Sequence, residues 1–128
     1  MNILFVCKHN KFRSQVAEAF FKKLNKNNKY KSKSAGIIHG RMINKKLKDY
    51  TKKYGIKINS SPKSITTDML RWADLIILVA NNVPRSIFKD KKIKIWMIND
   101  AGINEEEKVN KIIEQIKRRV NILIKELD

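Results

Sequence analysis

Short apolar runs alternate along this chain with segments in which apolar residues recur at helical spacing. Strands buried on both faces have continuous apolar runs because neither side meets water. Such runs lie at residues 2–6 (NILFV), 74–80 (DLIILVA) and 93–98 (IKIWMI), and a weaker strand at 29–34 ends at Ala35 and Gly36. The pattern therefore predicts four strands.

Amphipathic helices are predicted between these strands. Val16, Phe20 and Leu24 share one face of a helix over residues 14–25. Further helices are predicted around residues 43–54, ending at Gly55, at 66–72, and from about 104 to the end of the chain. Because strands and helices alternate, we expect one α/β domain over residues 1–128, with a four-stranded parallel sheet and helices on both faces.

The length of 128 residues fits a single domain with a real core. No apolar run approaches the ~18 residues that span a membrane, and MNILFV is too short for a signal peptide. Cys7 is the only cysteine, and no Cys and His residues cluster as zinc ligands do. We therefore expect a cytoplasmic monomer with no membrane partner, no metal and no cofactor.

The chain is strongly basic, with 29 Lys and Arg against 12 Asp and Glu and a formal charge of +17. Such a charge favours anionic partners, nucleic acid among them. The lysines are scattered, however, in pairs such as Lys22–Lys23 and Lys91–Lys92 that suit solvated helix faces and loops. We do not expect a nucleic-acid partner, although a non-catalytic phosphate or nucleic-acid binding protein stays open as an alternative.

The segment from Cys7 to Arg13 joins the first strand to the first helix. Ligands of parallel α/β sheets bind at this carboxyl edge. Unpaired amides at a helix start, with the helix dipole, attract anions and would stabilise a thiolate nucleophile at Cys7. Arg13 offers two parallel N–H donors to a tetrahedral oxyanion. The loop thus predicts an activated nucleophile beside a phosphate-sized site; the alternative for Cys7 is a small buried hydrophobe.

The other loop residues complete the predicted anion site. Ser14 suits a helix start and can donate its hydroxyl to the sulfur, and Asn10 can hold a sharp turn. His9 either lines the mouth of the site or is a solvated loop residue. The candidate substrate-binding residues are Lys8, His9, Asn10, Lys11, Phe12 and Ser14.

A carboxylic acid is needed to protonate the leaving group of a phosphate ester. Asp100 follows the fourth strand, so it lies on the same sheet edge as Cys7. We predict Asp100 as the general acid, the alternative being a turn or capping residue. Asp68 and Asp90 are the next candidates.

The stretch VCKHNKFRSQVAEAFF resembles the signature of the low-molecular-weight protein tyrosine phosphatase family, Cys-x5-Arg-Ser at the end of the first strand. SAGI at residues 34–37 and ADLIILV at 73–79 fall where that family has its second and third strand motifs, and the C-terminal helix also matches. The resemblance implies a phosphocysteine intermediate, with Cys7, Asn10, Arg13 and Ser14 on motif positions. It also implies a general acid in the loop that holds Asp100.

Four positions depart from the family pattern. His9 stands where the family's human-type members have glycine, and Phe12 stands where they have a second cysteine. Ala101 and Gly102 replace the proline and the aromatic residue that follow the acid. With Phe12 in this place, no neighbouring thiol can trap an oxidised Cys7 as a disulfide.

These features predict a phosphomonoester hydrolase acting on protein phosphotyrosine or a similar aryl phosphate. Gln15, where phosphatases more often have proline, favours the alternative of arsenate reduction. The segment VANNVPRSIF after the third strand has no cysteine, so a reductase would need an external small thiol. His39, Arg41 and Met42 follow the second strand and either form a wall of the site or are solvated loop residues. Asn81 and Asn82 end the third strand and are possible substrate contacts.

Overall fold

Four parallel strands form the centre of the protein. The computed structural model describes residues 1–40, 42–43, 45–59, 61–102 and 104–127. The strands are β1 (Asn2–Cys7), β2 (Lys31–Gly36), β3 (Leu75–Val79) and β4 (Ile93–Trp96). They lie in the order β2-β1-β3-β4 with every neighbouring pair parallel. The predicted α/β fold with a four-stranded parallel sheet is confirmed.

The helices lie on both faces of the sheet. They are α1 (Arg13–Leu24), α2 (Lys45–Lys52), α3 (Thr67–Trp72) and α4 (Glu106–Leu127), and one 3₁₀ turn spans Arg85–Phe88. The helix α3 starts at a side-chain cap, because the Thr66 hydroxyl accepts a hydrogen bond of 3.1 Å from the Met69 amide. No helix in the described part of the chain is long and apolar enough to cross a membrane.

The predicted ranges of two strands were wrong. β2 runs from Lys31 to Gly36, so it begins and ends two residues later than the predicted range of 29–34, because its pairing with β1 starts at the partners Asn2 and Lys31 and continues to Cys7 and Gly36. β4 stops at Trp96, two residues early, because the Ile98 amide donates to the Trp96 carbonyl over 2.8 Å and turns the chain.

Side chains alternate across β1 and divide the core into two clusters. Ile3 and Phe5 face α1 and α4, whereas Leu4 and Val6 face α3, and all four are fully buried. The ring of Phe5 lies 5.8 Å from that of the buried Trp96. Burial on both faces explains why β1 and β3 are apolar runs.

The order of the strands decides where a ligand can bind. From β1 the chain passes to β2 on one side and then to β3 on the other, so the strand order reverses beside β1. A crevice forms at such a reversal, outside the carboxyl ends of the strands. Cys7 is the last residue of β1 and therefore lies at this crevice.

Candidate active site

The loop after β1 is built around Asn10. Its backbone has a φ of 57°, an unusual conformation for a residue other than glycine. The side-chain amide donates to the hydroxyls of Ser14 (2.7 Å) and Ser34 (3.0 Å), and its oxygen accepts from the Lys63 amide (2.9 Å). The Asn10 carbonyl accepts from Gln15 over 2.8 Å. These bonds compensate the unfavourable φ and fix the curvature of the loop.

Two donors point at the Cys7 sulfur. The Asn10 amide lies 3.3 Å from Sγ, and the Ser14 hydroxyl lies 3.0 Å from it. Because Ser14 Oγ already accepts a hydrogen bond from Asn10, its own hydrogen is available to the sulfur. Both groups therefore hold the sulfur at the bottom of the loop.

The start of α1 contributes further donors. The helix begins at Arg13, one residue earlier than predicted, and its N-cap residue Phe12 makes no side-chain capping hydrogen bond. Ser14 directs its hydroxyl to Cys7 instead. Amides at an uncapped helix start lack intrahelical partners and bind anions well.

Arg13 is buried beside this helix start, with 3% of its surface exposed. Its Nη1 donates to the Ile98 carbonyl over 2.9 Å and lies 3.4 Å from the Asn81 side-chain oxygen, and its Nη2 donates to the Asn82 side-chain oxygen over 3.1 Å. Asp100 Oδ2 is 3.8 Å from Nη2. The arginine thus connects the loops that follow β1, β3 and β4.

The sulfur and the arginine share an open cavity of about 440 Å³. It is lined by Cys7, His9, Lys11, Phe12, Arg13, Met42, Leu47, Asp100, Ala101 and Gly102. Three of the six candidate substrate-binding residues are therefore on its wall, and Asn10 and Ser14 are fully buried beneath it. Lys8 is not on the wall. Of the expected loop wall, Met42 lines the cavity, the exposed His39 does not, and Arg41 lies outside the described residues.

Asp100 is the one carboxylate among the described residues that line the cavity. Its side chain is 62% exposed and accepts a hydrogen bond of 3.0 Å from the Ala101 amide. The adjoining loop is held by Glu105, which accepts from the Gly102 amide over 3.2 Å. The pKa of Glu105 is lowered mainly by its hydrogen bond with Lys108 and secondly by its hydrogen bond with the Gly102 amide. The other candidate acids are not on this wall, and Asp68 pairs with Arg71 on α3.

Several residues that hold the loop were not found from the sequence. The Gln15 side chain bridges the Asn10 carbonyl and the Asn59 amide, over 2.8 and 2.7 Å. Ser34 links Asn10 to the buried Glu18, to which its hydroxyl donates over 2.6 Å. The motif SAGI was the only signal for Ser34, and no local pattern indicated the contact of Gln15 with Asn59. Across the described ranges, no three His, Cys, Asp or Glu side chains are grouped as a metal would need.

The sheet, the loop and the helix start define an α/β protein with a thiol at the carboxyl edge of a parallel sheet, where the chain passes from a strand to a helix start. The chain belongs to the low molecular weight phosphotyrosine protein phosphatase family, whose model matches residues 2–128. No curated protein sequence gives a significant match.

Solved structures agree with this assignment. The low molecular weight protein tyrosine phosphatase from T. tengcongensis is 28% identical, with a TM-score of 0.82 over 98% of this chain and 99% of that one. Arsenate reductase from Archaeoglobus fulgidus is also 28% identical, with a TM-score of 0.76 over 95% and 98%. The YwlE arginine phosphatase from Geobacillus stearothermophilus, 20% identical with a TM-score of 0.83 over 98% and 92%, shares the fold. The family thus supports phosphatase or arsenate reductase activity.

Proposed function

We propose that this protein hydrolyses phosphomonoesters, with protein phosphotyrosine or a similar aryl phosphate as the substrate. In this proposal Cys7 is the nucleophile, Arg13 binds the phosphoryl oxygens and Asp100 is the general acid. One observation carries it: a sulfur with two hydrogen-bond donors shares a cavity with a buried arginine and with Asp100, the one carboxylate that the described residues bring to its wall.

The reaction takes two displacements. The Cys7 thiolate attacks phosphorus, the ester P–O bond breaks, and the leaving oxygen takes the proton of Asp100. A water molecule then attacks the phosphocysteine, gives its proton to the Asp100 carboxylate, and releases inorganic phosphate and the thiolate. The helix start and Arg13 stabilise the charge on the phosphoryl oxygens in both transition states.

The cavity wall supports an aryl substrate. Phe12, Met42 and Leu47 are apolar residues of the wall, and a phenyl ring can bury surface against them. Ala101 and Gly102 occupy the wall next to the acid, where the family pattern has an aromatic residue. The contacts with a phenyl ring in this proposal therefore come from Phe12, Met42 and Leu47. The 28% identical phosphatase from T. tengcongensis also favours this substrate class.

Release of phosphate from phenyl phosphate and from a phosphotyrosyl peptide tests the proposal. We expect turnover by the wild type and none by Cys7→Ser, which should still bind inorganic phosphate because the loop amides and Arg13 remain. Turnover by Cys7→Ser at the wild-type rate would refute the nucleophile. An absence of phosphate release from either substrate by the wild type would refute the hydrolase.

Arsenate reduction is the second candidate. It is favoured by Gln15, which bridges Asn10 to Asn59 in this chain, and by the arsenate reductase of Archaeoglobus fulgidus at 28% identity. The test is arsenite formation by the same sample with glutathione as the electron donor. If arsenite forms with many turnovers and no aryl phosphate is hydrolysed, the reductase replaces the phosphatase.

A further inference from the structure

Two asparagines directly after β3 contact the guanidinium of Arg13. The side-chain oxygen of Asn82 accepts from Nη2 over 3.1 Å, and that of Asn81 is 3.4 Å from Nη1. Asn81 is itself oriented by Asn99, whose side-chain oxygen accepts from the Asn81 amide group over 2.9 Å. Both asparagines are exposed residues, whereas the arginine that they contact is buried.

These contacts occupy one part of the guanidinium and leave another part available. A guanidinium has five N–H donors in a planar fork. Two acceptors, the Ile98 carbonyl and Asn81, lie at Nη1, and Asn82 takes one donor of Nη2. Among the described residues, no hydrogen bond uses Nε. The remaining donors, on Nε and Nη2, are neighbours on one edge, which is the arrangement that binds two oxygens of a phosphoryl group.

The charge of the acceptors matters as much as their position. Asn81, Asn82 and the Ile98 carbonyl are neutral, so they orient the guanidinium without cancelling its positive charge. The only carboxylate recorded near it in the described chain is Asp100, at 3.8 Å and largely exposed. A carboxylate at the position of Asn82 would compete with the phosphate dianion for the same charge.

We propose that Asn81 and Asn82 are positioning residues that turn the Nε–Nη2 edge of Arg13 toward the cavity and, being neutral, keep its full charge for the bound oxyanion. The inference deepens the proposed function, since it assigns how the phosphate-binding arginine is held. The asparagines act through Arg13 and not by contact with the substrate.

Two kinds of variant separate position from charge. Asn82→Ala removes an acceptor and should lower kcat/KM for phenyl phosphate about tenfold, and Asn81→Ala with Asn82→Ala about a hundredfold. Asn82→Asp keeps the acceptor oxygen and adds a negative charge. It should weaken the binding of inorganic phosphate at least fivefold at low salt and less at high salt. Asn121→Ala and Asn121→Asp, on the exposed surface of α4, are the matched controls and should change nothing.

Phosphate binding, measured by calorimetry, needs no turnover and so judges the inference apart from the hydrolase. Weaker phosphate binding in both Asn82 variants than in the wild type supports it, provided that the loss becomes smaller at high salt only for Asn82→Asp. Equal phosphate affinity in the wild type, Asn82→Ala and Asn82→Asp overturns it, as does an equal loss in the Asn121 variants. If the wild type binds phosphate but hydrolyses no aryl phosphate, the proposed function fails while these affinities still decide the role of the asparagines.

Discussion

Substitution of Gly36 by alanine should displace the loop between β1 and α1, which follows the proposed nucleophile, through a steric clash in the backbone. Gly36 ends β2 opposite Cys7, and a methyl group there would lie 2.5 Å from the His9 carbonyl carbon and 2.7 Å from the Asn10 nitrogen. Ordinary contact with a β-carbon begins at 3.4 Å, so the two backbones would have to separate by about 0.9 Å. Neither can move freely, because Gly36 is hydrogen-bonded to Lys63 and Ile65 and Asn10 is bonded on several sides.

The size of the effect follows from this displacement. A misplacement of about 1 Å in a catalytic group costs on the order of 10²-fold in rate, and an extra methyl group in a tightly packed place costs about 1–3 kcal/mol of stability. We expect Gly36→Ala to lower kcat/KM for phenyl phosphate by about 10²-fold. The free energy of unfolding, measured by urea denaturation, should fall by about 1–3 kcal/mol. The two losses should occur together because one contact causes both.

Lys31→Ala is the matched control, because Lys31 is an exposed residue at the other end of β2. It should leave kcat/KM and the phosphate affinity unchanged. A Gly36→Ala protein with wild-type kinetics would refute the reasoning, since it would show that the loop tolerates this displacement or that its geometry does not limit the reaction.

Three further predictions concern the proposed catalytic groups. Arg13→Lys should lose roughly 10²-fold or more in kcat/KM although it keeps its charge, because an ammonium group cannot offer two parallel donors; near-normal kinetics would make the arginine merely structural. Asp100→Asn should slow hydrolysis of phenyl phosphate by roughly 10²–10⁴-fold and that of nitrophenyl phosphate far less, because nitrophenolate leaves without a proton. The fall in rate at high pH, where a general acid has lost its proton, should become flatter in this variant. Equal slowing of both substrates would place the acid elsewhere. Peroxide should inactivate the enzyme, and bound phosphate should protect it. Because the chain has no second cysteine, added thiols should reverse only the sulfenic acid or mixed disulfides of Cys7. Activity that neither peroxide nor iodoacetate changes would argue against a reactive thiolate.

The sequence predicted the fold well because its two central strands, β1 and β3, are buried on both faces. A run such as residues 75–80 has no polar position that would suit a helix surface, and its alternation with amphipathic segments leaves few topologies. The placement of Asp100 on the same edge as Cys7 followed from parallel strand direction alone. Strand ends were less predictable, because β2 is extended by its pairing with β1 and not by its own composition, KSKSAG.

Contacts between distant segments were not predictable from local pattern. Lys63 holds Asn10 through its backbone amide, so no side-chain type at residue 63 could have indicated it. The strand end suggested Asn81 and Asn82 only as possible substrate contacts, and their contacts with Arg13 were not indicated. The position of an asparagine at a strand end does not tell whether its side chain contacts the substrate or a neighbouring side chain, because that depends on distances in the folded protein.

The count of thiols bears on the choice between the two proposed reactions. Reduction of arsenate to arsenite takes two electrons, and formation of one disulfide supplies them. A protein with Cys7 alone can attack arsenate and form an S–As bond, but a second sulfur must then attack Cys7 for arsenic to leave reduced. The described structure places Phe12 and the asparagines after β3 around this site, so that second sulfur has to come from solution. Phosphate ester hydrolysis needs only water for its second step. The proposed hydrolysis therefore needs no second thiol, whereas any arsenite formation should rise with the concentration of added thiol.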